Sequence, residues 1–220
     1  MSMRNRNREA GFTLIEIVIA VAIIGIFAAV ISPMVYRHLS DAKVSKAQSE
    51  TETIANAILS YYKDVSRWPY TNANGPAGNG IDRVITSNTV PNAAGSGADA
   101  GARNWGTYGN AKRLGDYLYY NNPDDDTGTS GYDQTGQDWP VSGRDSWRGP
   151  YVDAYDFNDP WGNSYVVNTR YCPGGRYTGS VRHKVFVLSA GPNGTWETAF
   201  SDGVTEEIAG DDIGYVLAID

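Results

Sequence analysis

The alternation of apolar and polar positions divides the chain into three stretches. From Phe12 to Val35 the residues are almost all apolar, and Glu16 is the one charge among them. About 20 apolar residues cross a bilayer as a helix, so this run predicts a membrane-spanning helix. The pattern then changes period without a break. Val35, Leu39, Ala42, Ala47, Ile54, Ala55, Ile58, Leu59, Tyr62 and Val65 recur at spacings near three and four, with Arg37, Asp41, Lys43, Lys46, Glu50, Glu52, Lys63 and Asp64 between them. That is a single apolar stripe on an otherwise charged helix. No Gly lies between Gly25 and residue 64, and Pro33 is the one breaker. Residues 12–64 therefore read as one helix, roughly 80 Å long at about 1.5 Å per residue. Ser66-Arg67-Trp68-Pro69 ends it, because the residue before proline is pushed out of the helical region.

The third stretch follows Pro69 and is loop-rich. Residues 71–110 are full of Asn, Gly and Ala, with Ile81 to Val90 the one notable apolar patch; so long a loop is either functional or a surface excursion. Leu114, Tyr117 and Leu118 share a helical face and predict a short helix within 111–121, and Asn122 to Gln137 is a polar turn region. Asp159-Pro160-Trp161-Gly162 is a turn signal. Tyr165–Val167, Lys184–Leu188 and Tyr215–Ile219 predict strands. Short strands joined by tight loops predict an antiparallel sheet with one face over the stripe of residues 39–65, an α+β domain.

Charge narrows the classes of function. The net charge is −7 and the sequence pI near 4.8, which argues against a nucleic-acid partner, since phosphate binding needs clustered Lys and Arg. Arg4, Arg6 and Arg8 precede the apolar run. Basic flanks stay cytoplasmic, so the bulk of the chain is expected on the far side of the membrane. A cleaved secretory signal is the competing reading, with Ala28-Ala29 as its cleavage site. The apolar run exceeds the usual 7–15 residues of such a segment, and a carboxylate inside it would be costly for no gain. Cys172 is the lone cysteine, so no intramolecular disulfide forms; the residue reads as a small packing or loop group.

Gly11-Phe12-Thr13-Leu14-Ile15-Glu16, after a basic leader and before an apolar helix, resembles the prepilin peptidase site of type IV pilins and type II secretion pseudopilins. Gly25 and Pro33 fall where that family commonly has Gly and Pro. The resemblance implies cleavage after Gly11, N-methylation of the new amino terminus at Phe12, and a segment from Gly25 to Pro33 that loosens when the helix leaves lipid. It gives residues 1–11 as leader, 12–35 as membrane and filament-core helix, 36–66 as the amphipathic half, and 67–220 as a globular domain with an insertion at about 71–110. Glu16 then gains a role. A carboxylate deep in a bilayer costs about 2.5–3.5 kcal/mol, but near the helix start the dipole favours an anion. There it would pair with the Phe12 amino group of a neighbouring subunit and set register in the filament.

Trp147-Arg148-Gly149-Pro150-Tyr151 and Asp159-Pro160-Trp161-Gly162-Asn163-Ser164-Tyr165 look like the globular domain of major pseudopilins of type II secretion. The lack of a cysteine pair agrees, since many type IV pilins close a C-terminal disulfide loop. The stretch from Ser189 to Gly194 through Gly210 to Gly214 resembles the pseudopilin calcium loop. Carried over by position, it implies calcium held by the carbonyls of Leu188 and Gly191 and the side chains of Asn193 and Asp212, with Asn193 standing where the family usually has Asp. Calcium takes six to eight oxygens. Asn122, Asp124, Asp126 and Gly128 form a rival pattern, but Gly stands one position late for an EF-hand and no closing Glu follows.

Enzyme patterns are weak. His38 and His183 have no nucleophile or ligand pattern around them, and Ser40-Asp41-Ala42-Lys43 lacks the partner motifs of the S-x-x-K enzymes. The expectation is a non-enzymatic filament subunit, foremost the major pseudopilin of type II secretion, whose partners are further copies of itself, the prepilin peptidase, the inner-membrane assembly platform and minor pseudopilins. The alternatives are the major pilin of a surface pilus and, in a different class, a membrane-anchored periplasmic enzyme or sugar-binding module.

Overall fold

The structure is a computed structural model that describes residues 11–70, 81–91, 105, 110–123, 139–174, 177, 179, 183–200 and 207–217. Residues 1–10 of the leader, most of the 71–110 insertion and the Asp124, Asp126 and Gly128 pattern lie outside these residues. The chain divides into two units, Met1–Ala42 and Lys43–Asp220.

Helix α1 runs over Leu14–Val65 with Pro33 inside it. Within the first unit every large apolar side chain from Phe12 to Leu39 is exposed, and an 18-residue window reaches a mean hydropathy of 3.0 with none of it buried. Such a surface is unfavourable in water, and the helix is long and apolar enough to cross a membrane. It continues unbroken through Gly25 and Pro33, and the Ser32 hydroxyl donates to the Ala28 carbonyl at 2.6 Å one turn back.

In the second unit α1 buries Ala47, Thr51, Ile54, Ala55, Ala57, Ile58, Tyr61 and Val65. The expected stripe is corrected here: Leu39, Leu59 and Tyr62 are exposed, the last two at 38% and 39%. At 3.6 residues per turn, Leu59 is a quarter-turn past Ile58 and leaves the stripe, while Tyr61 takes its place. Ser66 ends the helix in the left-handed region, with φ 58°.

The sheet contains β1 Ile81–Ile85, β2 Asn110–Arg113, β3 Val166–Val167, β4 Val185–Ser189 and β5 Ile213–Leu217, in the order β2-β1-β3-β4-β5. Three neighbouring pairs are antiparallel, but β1 and β2 are parallel, so the sheet is mixed and not purely antiparallel. A parallel pair needs a crossover of a dozen or more residues, and the stretch from Thr86 to Gly109 supplies it. The patch beginning at Ile81 is thus a strand inside the sheet. The expected helix at 111–121 is cut to α2, Leu114–Leu118, because residues 110–113 pair with β1; tertiary pairing overrides local propensity. Gly115 is required there, since a Cβ would come within 2.5 Å of the Tyr155 carbonyl oxygen.

The core lies between the second half of α1 and the sheet. All five residues of β4 are buried, as expected for a strand covered on both faces. Trp105, Trp196, Phe200 and Phe186 cluster with ring centroids 5.0–6.4 Å apart, and Tyr61 meets Tyr117 and Tyr151 edge-on. Cys172 is free and buried.

Candidate functional site

Three regions carry the residues singled out by the sequence. The first is the start of α1. Gly11, Phe12 and Glu16 are exposed, with nothing among the described residues within 4 Å of the Gly11 Cβ position. Thr13 is the N-cap. Its N–H donates to Glu16 Oε2 at 2.8 Å and its hydroxyl donates to the same oxygen at 2.6 Å, while the Glu16 N–H donates to Thr13 Oγ1 at 3.4 Å. The reciprocal pairing of the N-cap and third helical residue is a capping box. Thr13 was not among the expected site residues, although the T-x-x-E spacing before an apolar run carries the signal.

The second region is where the loops are tied to α1. The hydroxyl of fully buried Tyr165 donates to Glu50 Oε2 at 2.6 Å, and Lys46 Nζ lies 3.6 Å from Glu50 Oε1. The Tyr151 hydroxyl donates to Asp64 Oδ2 at 3.0 Å, and partial burial pushes its phenol up to about 12. These are residues of the W-x-G-P-Y and D-P-W-G-N-x-Y motifs. Gly149 is needed in the first, because a Cβ would lie 2.5 Å from the Trp147 ring. In the second, Asp159 Oδ1 accepts the N–H groups of Trp161 and Asn163 at 2.9 and 2.8 Å.

The third region is the end of β4 and the start of β5. The Ser189 hydroxyl donates to Asp159 Oδ2 at 2.6 Å and accepts the Gly191 N–H at 3.1 Å. Gly191 sits at φ +62°, and a Cβ there would lie 2.1 Å from the Asp211 carbonyl oxygen. Leu188 stands opposite Gly214 in the β4–β5 register. The Asn193 N–H donates to Asp211 Oδ2 at 3.1 Å, and its amide donates to Glu197 Oε1 at 2.9 Å. Asp212 Oδ2 accepts the N–H groups of Glu197 and Thr198 at 3.0 and 2.7 Å. Desolvation pushes the Asp212 carboxyl up to about 6.

Residues 6–32 match the family described as the prokaryotic N-terminal methylation motif. The type II secretion system core protein G of Pseudomonas aeruginosa is 32% identical over 112 residues, covering 50% of this chain and 67% of that protein. The chain belongs to the type IV pilin and type II secretion pseudopilin family. The core protein G of Escherichia coli (strain K12) is 30% identical over 40% of this chain and 57% of the relative. The type IV major pilin protein PilE1 of Neisseria gonorrhoeae is 38% identical over 38% of this chain and 41% of the relative. The chain thus spans between about two fifths and two thirds of these curated relatives. No solved structure matches it.

The donors of this pilin-family chain can be tested for a cation. Asp211 Oδ1 and Asp212 Oδ1 are buried and meet no hydrogen-bond donor among the described residues, and a cation would supply a positive partner. Two of the expected donors are otherwise engaged: Asn193 Oδ1 accepts the Thr195 N–H at 2.6 Å, and the Gly191 carbonyl accepts the Gly194 N–H at 3.3 Å. Among the described residues no three His, Cys, Asp or Glu side chains form a ready metal cage. Asp211, which the sequence reading passed over, fits a cation better than Asn193 does.

Proposed function

We propose that this chain is a structural subunit of a membrane-anchored filament, the major pseudopilin of a type II secretion system. The observation that carries this reading is the extent of the match to the Pseudomonas aeruginosa core protein G. Its 112 residues exceed the 52 of α1 and reach 67% of the relative, so the likeness includes globular sequence as well as the N-terminal helix.

In this reading the prepilin peptidase cuts after Gly11 and methylates Phe12. Small, exposed Gly11 suits close approach of the peptidase. The Phe12-led helix then stays in the inner membrane, with residues from Lys43 onward periplasmic. Assembly on the membrane platform, with minor pseudopilins, brings helices of successive copies together. Glu16 exchanges its bonds to Thr13 for the amino group of a neighbouring Phe12. Gly25 and Pro33 lower the cost of local unwinding between them. Calcium would draw on the buried oxygens of Asp211 and Asp212, adding positive charge where two carboxylates crowd, and would join the β4 end to the start of β5.

The second reading, a surface pilus, is favoured by the 38% identity to PilE1. Deletion of the gene followed by assay of secreted proteins, with microscopy of sheared cells, separates the two. Loss of secretion without long external fibres is the expected outcome; fibres on wild-type cells together with undiminished secretion in the deletion strain favour the pilus. Mass spectrometry of the mature chain is expected to give methylated Phe12 as its first residue, and a start near residue 30 would refute the processing route.

A further inference from the structure

Two features of the second unit have no role so far. One is a groove of about 450 Å³ alongside α1, lined by Glu50, Thr53 and Ile54 of the helix and by Val152, Asp153 and Phe157. Its floor is apolar and its rim acidic. The other is the exposed side of the same helix, where Leu59 and Tyr62 lie open beside exposed Lys63 and Arg67. Tyr62 is braced by Trp68, its ring stacked at 4.2 Å. That is an apolar ridge with a basic rim.

The spacing relates the two. Leu59, Tyr62 and Lys63 follow Glu50, Thr53 and Ile54 by nine residues each, which is two and a half turns at 3.6 residues per turn. Ridge and groove therefore face opposite sides of one helix. A surface that fits a different surface on the opposite side of an identical molecule does not close into a dimer; it repeats head to tail, as an open chain wherever the rotation between copies does not close a ring. Charge selects the same partner. Glu50 already holds Tyr165 and Lys46, which leaves exposed Asp153 to receive an approaching base.

We propose that the Leu59–Tyr62 ridge of one copy seats in the Ile54–Val152–Phe157 groove of the next, with Lys63 of the first meeting Asp153 of the second. The inference rests on the filament-subunit reading and goes beyond it, since it assigns a contact between globular units in addition to the packing of N-terminal helices.

Cysteine cross-linking in the cells that make the protein tests it. Tyr62→Cys and Ala154→Cys are placed together in the full chain, with Cys172→Ser to leave no other thiol. Mild oxidation should give a reducible ladder of dimers, trimers and upward at multiples of the chain mass, and neither single cysteine should pass the dimer. Leu59→Cys with Ala154→Cys should give the same ladder, which guards against a fold cost from losing the Tyr62–Trp68 stack. Lys63→Glu and Asp153→Lys should each cut the ladder at least tenfold, and the two together should restore it. Multimers of the wild-type chain captured by formaldehyde in cells, without a cysteine ladder, overturn the contact while leaving the filament reading intact. So does an adduct of any other mass, which would mean that a different protein fills the groove, and so does a double charge reversal that fails to restore the ladder. Failure of formaldehyde to capture any multimer of the wild-type chain in cells overturns the filament reading itself, and this inference falls with it.

Discussion

Thr13 and Glu16 hold each other at the first turn of α1, with the Thr13 hydroxyl 2.6 Å from Glu16 Oε2. The carboxylate is satisfied inside its own chain, so the assembly role proposed for it would be an exchange of partners.

That exchange makes Thr13 testable apart from Glu16. Loss of an N-cap side chain costs about 0.5–2 kcal/mol, and Thr13→Ala should speed amide exchange in the first turn of the detergent-solubilised chain by roughly 2- to 30-fold. Glu16→Gln keeps an oxygen for the cap but loses the charge. It should insert and be processed normally yet give no filaments, and normal filaments from it would refute the assembly role.

Tyr165 and Glu50 form a tether that can be cut from either side. Tyr165→Phe removes one hydrogen bond to a charged group and should destabilise the globular unit by about 1.5–3 kcal/mol. Glu50→Ala strands the buried hydroxyl and should cost about 1–3 kcal/mol. Urea unfolding of the two single variants and the double variant measures their coupling; strict additivity would show that the bond contributes nothing.

Asp159 joins two loops through three side-chain bonds, to Trp161, Asn163 and Ser189. Asp159→Ala should lower stability by about 3 kcal/mol or more, whereas Ser189→Ala, which breaks the link to β4 and the Gly191 turn, should cost about half as much. An unchanged urea midpoint for Asp159→Ala would refute this account of the D-P-W-G-N turn.

Asp212 gives a pH dependence whose sign is fixed. Its carboxyl rises from the ordinary 3.8 to about 6 in the folded chain, so the folded state binds the proton more tightly than the unfolded state does. This group's contribution to stability therefore falls as pH rises from about 4 to about 6 and is flat above. Asp212→Asn should remove that slope. Calcium favours the ionised carboxylate, so adding it at pH 7 should raise the melting temperature and a chelator should reverse the gain. Identical melting with calcium and with chelator would refute the cation.

The helix was legible because its signals are local: apolar run, stripe, and Pro69 four residues after Val65. The turn at Asp159–Gly162 and strands β3, β4 and β5 were legible within two residues for the same reason. What escaped depends on distant partners. Residues 110–113 carry a helical pattern and become a strand because β1 lies beside them, and β1 itself sits in a stretch whose Asn and Gly content reads as loop. Leu59 and Tyr62 fit a three-and-four spacing, but only packing against the sheet decides which quarter of the helix is covered. Among the candidate sites, the N-terminal motif contains Thr13 without giving it a role, although its T-x-x-E spacing signals a cap. At the β4–β5 end, the engagement of Asn193 and the buried Asp211 oxygen depend on a loop geometry that no spacing reveals.

Burial of Cys172 has a consequence for the proposed periplasmic life of the chain. With no water around it, the thiol is held well above its ordinary range and stays protonated, and the thiolate is the form that attacks disulfides. In the proposed filament, with many copies crowded together beyond the membrane, the single thiol of each copy would thus be held in a form that resists cross-linking to its neighbours.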